Sequence, residues 1–294
     1  LSGQDITLSS VTLDAVSGGM IVSASTRLAI ANSDLRTGSG HALRLNNTAG
    51  HSIIDSTMTT GSVGAAAALY LQNASSNSLE RVNLYHTGSA GYGLYFDAAS
   101  SNTVTDAFVS VNAGIAGVYY GAASSNVVRG LRATNYSGNA VGLDSFSRGN
   151  VIDRATITAM GFSASGVFYN NASSNTISNS IVVSTAYYGL YLSMTSDWNS
   201  ISLSTALSYG AGQAGAYASN SSSNVFADSY FASPMGRVMQ MTPGAHNNRI
   251  LRSTMVAGNS GFAGLEINQV NDTYVDQSVI MSTAGYIAAW VTAA

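Results

Sequence analysis

Asp144 and Arg148 lie four residues apart in the stretch VGLDSFSRGN, and few charged side chains surround them in the chain. Hydrolysis of a sugar chain needs two carboxylates, one to protonate the leaving oxygen and one to act as base or nucleophile. Elimination needs a base beside the acidic sugar and a group such as Arg to hold its carboxylate. Asp144 with Arg148 supplies half of either set; an ordinary exposed ion pair is the plainer reading of the same two residues. A second set is aromatic. Tyr70, Tyr95, Tyr119, Phe168, Tyr191 and Tyr217 recur in related tetrads such as GLYF from Gly93, GVYY from Gly117 and GVFY from Gly166. Flat rings suit the apolar faces of sugars, and they equally stack on one another along a sheet.

Other chemistries find little support. His41, His51, His86 and His246 are scattered, with no partner at metal-ligand spacing. There is no cysteine, so thiolate metal sites and disulfides are excluded, and no metal or cofactor is expected. GSAGYG at Gly88 is glycine-rich but precedes no helix, so it is not read as a phosphate loop. Only 9% of residues are charged, all eleven basic residues are Arg, and the net charge is −3. With no basic run to follow a phosphate backbone, nucleic acid is not an expected partner. No apolar run approaches the ~18 residues of a membrane span.

The elements that position these residues follow from an internal repeat. AASSNTVTDAFVS from Ala98 returns as NASSNSLERVNL from Asn73, AASSNVVRGLRA from Ala122 and NASSNTISNSIV from Asn171. The turn asparagines Asn77, Asn102, Asn126, Asn150, Asn175, Asn199, Asn224 and Asn248 succeed one another every 24 or 25 residues. Two residues after the anchor stands an apolar β-former, in the run Ile53, Leu79, Val104, Val128, Ile152, Ile177, Ile201. Apolar residues then alternate with polar ones at the period of a strand. No unit of this length buries a core alone, so stacked units must share one. The expectation is an all-β chain, residues 1–294 as one continuous domain, coiled as a parallel β-helix of about 12 coils at ~4.8 Å per coil. The asparagines should take the left-handed corner conformation and link side chain to side chain up the stack. The outward column should read Arg44, Tyr70, Tyr95, Tyr119, Asp144, Phe168, Tyr191, Tyr217, Gln240, Glu266. Asp144 would thus interrupt the aromatic stripe, with Asp97, Asp153 and Arg154 in neighbouring layers.

The pattern G-[LV]-Y-x followed by SSN-x-[VI] resembles the right-handed parallel β-helix repeat proteins over essentially the whole chain. That superfamily includes pectate-lyase-like enzymes, phage tailspikes and secreted surface proteins. The resemblance implies right-handed coiling and an extracellular or cell-surface life. The strings NTD, DD, GHG and RIK of the polygalacturonase-like enzymes are missing. So is a carboxylate cluster like the pectate lyase calcium site. Neither LSGQDITLSSV nor TAGYIAAWVTAA reads as a capping element. These features together favour a non-enzymatic structural or adhesive module, self-associating end to end as a fibre or covered by flanking domains of a longer chain. The alternative is a polysaccharide-active enzyme (lyase, hydrolase or epimerase), or a glycan-binding module, using the Tyr stripe around Asp144.

Overall fold

The structure, a computed structural model, describes residues 5–23, 27–259 and 261–292, and among these there are strands and turns but no helix. Strands come in threes. In coil 5 they are Thr103–Thr105, Phe108–Ala113 and Ala116–Gly121. The first, second and third strands of successive coils pair in parallel, giving three 12-stranded sheets, here sheets A, B and C. The chain is therefore a β-solenoid of twelve coils, as its repeat implies.

Like sits over like. In sheet A, Leu79, Val104, Val128, Ile152 and Ile177 are in register and fully buried. Sheet B adds Leu84, Val109, Ala133, Ile157 and Val182 to the same core, and sheet C adds Leu94, Val118, Val141 and Val167. Burying each Val, Leu or Ile is worth roughly 1.5–3 kcal/mol. No coil could collect this alone, because most of each side chain's neighbours belong to the coils above and below.

The corner differs in detail from the expectation. The left-handed residue is the one before the asparagine: Ser76, Ser101, Ser125 and Ser174 have φ of 55–59°. The asparagines have ordinary backbones and are kept for their side chains. Asn102 donates from N and Nδ2 to Asn126 Oδ1 at 3.0 and 2.9 Å, and Asn126 does the same to Asn150 Oδ1. The Nδ2 groups of Asn102 and Asn126 also reach backbone carbonyls of the preceding turn, Ala74 O and Ala99 O. The corner's buried N–H groups are thus satisfied by a side-chain column.

Candidate functional site

The outer face of sheet C carries two parallel columns. The first reads Arg44, Tyr70, Tyr95, Tyr119, Gly142, Phe168, Tyr191, Tyr217. The second, two residues further along each strand, reads Asn46, Gln72, Asp97, Gly121, Asp144, Asn170, Ser193. This corrects the expected place of Asp144. It does not interrupt the aromatic column; Gly142 does. Asp144 instead shares a column with Asp97, two rungs away, and only Gly121 stands between them.

Nor does Asp144 pair with Arg148, which is exposed on the following turn and makes no ion pair among the described residues. Its partners come from the sheet. Tyr119 donates its hydroxyl to Asp144 Oδ2 at 2.7 Å, while Asn170 Nδ2 and the Ser145 N–H donate to Oδ1 at 2.8 and 2.6 Å. Asp97 accepts at Oδ2 from the Tyr70 hydroxyl and from Gln72 Nε2. Gln72 in turn accepts from Arg44. Asp153 lies on the outer side of sheet A, beside Arg154, Ser178 and Asn179, and belongs to a different face.

A leaning rule connects the columns. Each tyrosine tips one rung down and two residues along: Tyr70 to Asp97, Tyr119 to Asp144. Gly142 permits the second, since a Cβ there would meet Tyr119 Cδ2 at 2.9 Å. Tyr95 obeys the same rule and finds Gly121. A Cβ at position 121 would lie 3.1 Å from the Tyr95 hydroxyl. Beneath these rings a small apolar cluster of Ala67, Tyr92 and Ala116 sits apart from the main core and supports Tyr70, Tyr95 and Tyr119. Tyr92 packs 4.8 Å from Tyr95 and 5.1 Å from Tyr119, ring centre to ring centre.

The electrostatics follow from burial and from the carboxylates. Burial first, then Asp97, Tyr92 and Asp144, pushes the Tyr95 phenol up to about 12. Burial and the hydrogen bond to Asp144 hold the Tyr119 proton still more tightly, as burial and Asp97 do for Tyr70. His41 stacks on Tyr70 at 4.4 Å and accepts from the Ala67 N–H at Nδ1. Burial and Arg44 lower its pKa.

Gly142 divides the expected stripe into two aromatic patches. Tyr70, Tyr95 and Tyr119 form one, with neighbouring ring centres 5.0 and 5.1 Å apart. Phe168, Tyr191 and Tyr217 form the other, at 5.1 and 5.2 Å, joined by Tyr188 stacked on Tyr217 at 4.6 Å. The face is open along the solenoid axis. Cavities lie by Leu28 and His51 in the early coils and by Arg237 and Trp290 in the late ones.

Comparison with known proteins agrees with this architecture. The family model described as the right handed beta helix region matches residues 1–116 and 60–206. No curated protein matches the sequence. Among solved structures, an alginate lyase from Paenibacillus sp. str. FPU-7 is 14% identical, with 94% of this chain and 99% of that chain covered and a TM-score of 0.51. The A-module of mannuronan C-5 epimerase AlgE4 from Azotobacter vinelandii is 12% identical, with 98% and 91% covered and a TM-score of 0.53. A DFA-IIIase from Arthrobacter chlorophenolicus A6 in complex with DFA-III is 9% identical, with 88% and 73% covered and a TM-score of 0.58. At such identities the likeness is one of fold. It nonetheless corrects the expectation of a non-enzymatic structural or adhesive module, because these similar structures carry the names of carbohydrate-active enzymes.

Proposed function

The chain belongs to the right-handed β-helix family, and from its outer face we propose that it is a polysaccharide-active enzyme acting outside the cell or at its surface. The observation that carries this reading is the pair Asp97 and Asp144, alone in one column of an open face with Gly121 between them. Two rungs of a parallel sheet set the two backbones about 9.6 Å apart. That is close to the upper limit, about 9.5 Å, of the carboxyl spacing at which one group protonates a glycosidic oxygen while the other activates a water on the opposite side of the sugar.

Hydrogen bonding treats the two carboxylates differently. Both Asp144 oxygens already accept, from three donors, which fixes the carboxylate's orientation. Asp97 accepts only at Oδ2, which leaves Oδ1 free to meet the substrate. The two aromatic patches on either side supply flat surfaces for further sugar rings. An open face suits a polymer, which must pass through the site at both ends.

The test is to incubate the protein with a panel of polysaccharides and follow new reducing ends. Asp97→Asn and Asp144→Asn should each lower the rate about 10²–10⁴-fold, the usual weight of a general acid or base. Polymer cleavage that survives both substitutions would remove this pair from the chemistry.

A further inference from the structure

We propose that the Tyr95 hydroxyl is a substrate-contacting donor standing between the two carboxylates, and that the row it completes receives an uncharged sugar. The inference rests on the reading of Asp97 and Asp144 as the active pair and goes beyond it by naming a third group and a substrate class.

Three observations lead there. Gly121 is not a turn glycine: its φ lies outside the left-handed region, where Gly130 and Gly149 do lie, so its backbone does not require the residue. What the missing side chain provides is space, and the Tyr95 hydroxyl fills it, 3.1 Å from where a Cβ would stand. Next, Tyr70 and Tyr119 spend their hydroxyl protons on Asp97 and Asp144, whereas the Tyr95 hydroxyl meets no hydrogen-bond partner among the described residues. A half-buried phenol beside two carboxylates therefore keeps a free O–H, and burial with those carboxylates holds the proton on it. Finally, the row is Asp97, Tyr95 O–H, Asp144: acceptor, donor, acceptor. A sugar ring presents the complement, hydroxyls that donate to the carboxylates and an oxygen that accepts from the phenol. An acidic sugar would set its own carboxylate against that of Asp144, which already accepts from three donors. The nearest cation in the aromatic column, Arg44, is two coils from Asp97 and already donates to Gln72.

The test uses binding rather than turnover, so that it stands apart from the enzymatic reading. Wild type, Tyr95→Phe and Gly121→Asp are run in native gels cast with uncharged polysaccharides (xylan, dextran, inulin) or uronate polymers (alginate, pectate). Retardation by an uncharged polymer is expected. Tyr95→Phe should weaken it about tenfold, as the loss of one hydrogen bond predicts. Gly121→Asp gives Tyr95 the partner that its two neighbours have, and should weaken binding at least as much while the far-ultraviolet dichroism stays that of wild type. Retardation by uronate polymers alone, by no polymer, or to the wild-type extent in both variants would overturn the proposal. A protein that is retarded as expected but releases no reducing ends would sink the enzymatic reading and leave this one standing.

Discussion

Replacing Asn150 by Ala probes the column that closes every corner. Asn150 is fully buried. Its Oδ1 accepts from Asn126 N and Asn126 Nδ2, both at 3.0 Å, and its Nδ2 donates to Ala123 O at 2.9 Å and Asn175 Oδ1 at 3.0 Å. Alanine deletes all four bonds, but the survivors are unequal. Asn126 Nδ2 keeps Ala99 O, Ala123 O keeps the Arg148 N–H, and Asn175 Oδ1 keeps the Asn150 N–H. Only the Asn126 N–H is left buried with nothing to donate to. One orphaned buried donor costs about 1–3 kcal/mol, and the partly compensated bonds add about 0.5–1.5 kcal/mol each. The substitution should therefore cost about 4 kcal/mol. With an unfolding entropy near 2.1 cal/mol/K per residue, a chain of this length should melt about 6 °C lower. Thermal unfolding followed by circular dichroism measures the shift, and hydrogen exchange at the Asn126 amide localises it. A shift of less than about 2 °C with a still-protected Asn126 amide would refute the accounting, for the corner would then have another acceptor.

Tyr120 and Tyr169 point into the core with no hydrogen-bond partner for either hydroxyl among the described residues, while Phe96 fills the same column one rung above Tyr120. Tyr120→Phe and Tyr169→Phe should each stabilise by about 1 kcal/mol, by removing an unpaired buried hydroxyl; denaturant midpoints that fall instead would place a bound water in the core. Alkaline titration gives a separate check. Tyr95 is pushed up to about 12, with burial the largest cause, and Tyr70, Tyr119 and Tyr188 are raised too. Because these phenols bind protons more tightly folded than unfolded, their contribution is intact below about pH 10, the ordinary tyrosine value, and is lost as pH rises through the folded values. Tyrosinate absorbance should therefore lag on the native protein and complete only with unfolding; full absorbance by about pH 11 on a folded protein would contradict the burial of this cluster.

The fold was legible because a solenoid repeats its instructions. Val104, Val128 and Ile152 recur two residues after an asparagine, and a period of 24–25 forces them over one another. The site was legible only in part, and Asp144 shows why. The motif's leading Gly in GLYF and GVYY is replaced in coil 6 by Ala140, in the stretch AVGLD, so Gly142 invites a misreading of the frame by two residues. Alternation cannot expose that error: a one-residue slip turns a side chain inward, but a two-residue slip keeps it outward. Coil 6 also carries one extra residue between Asp144 and Asn150, so counting back from the anchor misleads as well. Ser145 and Phe146 absorb it with φ of 54° and 69°. The pairing of Asp144 with Tyr119 rather than Arg148 was beyond the sequence, because leaning depends on the absence of a Cβ one coil below.

In a repeat this regular, function must be sought where the pattern breaks. A coil that copies its neighbours supplies packing and a spacing of about 4.8 Å, and nothing in it distinguishes one rung from the next. Coils 4 to 6 alone place two carboxylates in the second column of sheet C, and they do so around two glycines that the strands themselves do not need. Gly142 lets Tyr119 reach Asp144, and Gly121 lets Tyr95 enter the row without finding a partner. A scaffold selected only for stability would fill both positions, since glycine in a strand costs conformational entropy and contributes no packing. Two such concessions in adjacent coils, each turning a tyrosine hydroxyl toward the carboxylate column, are what a binding face requires and what a stacking unit does not.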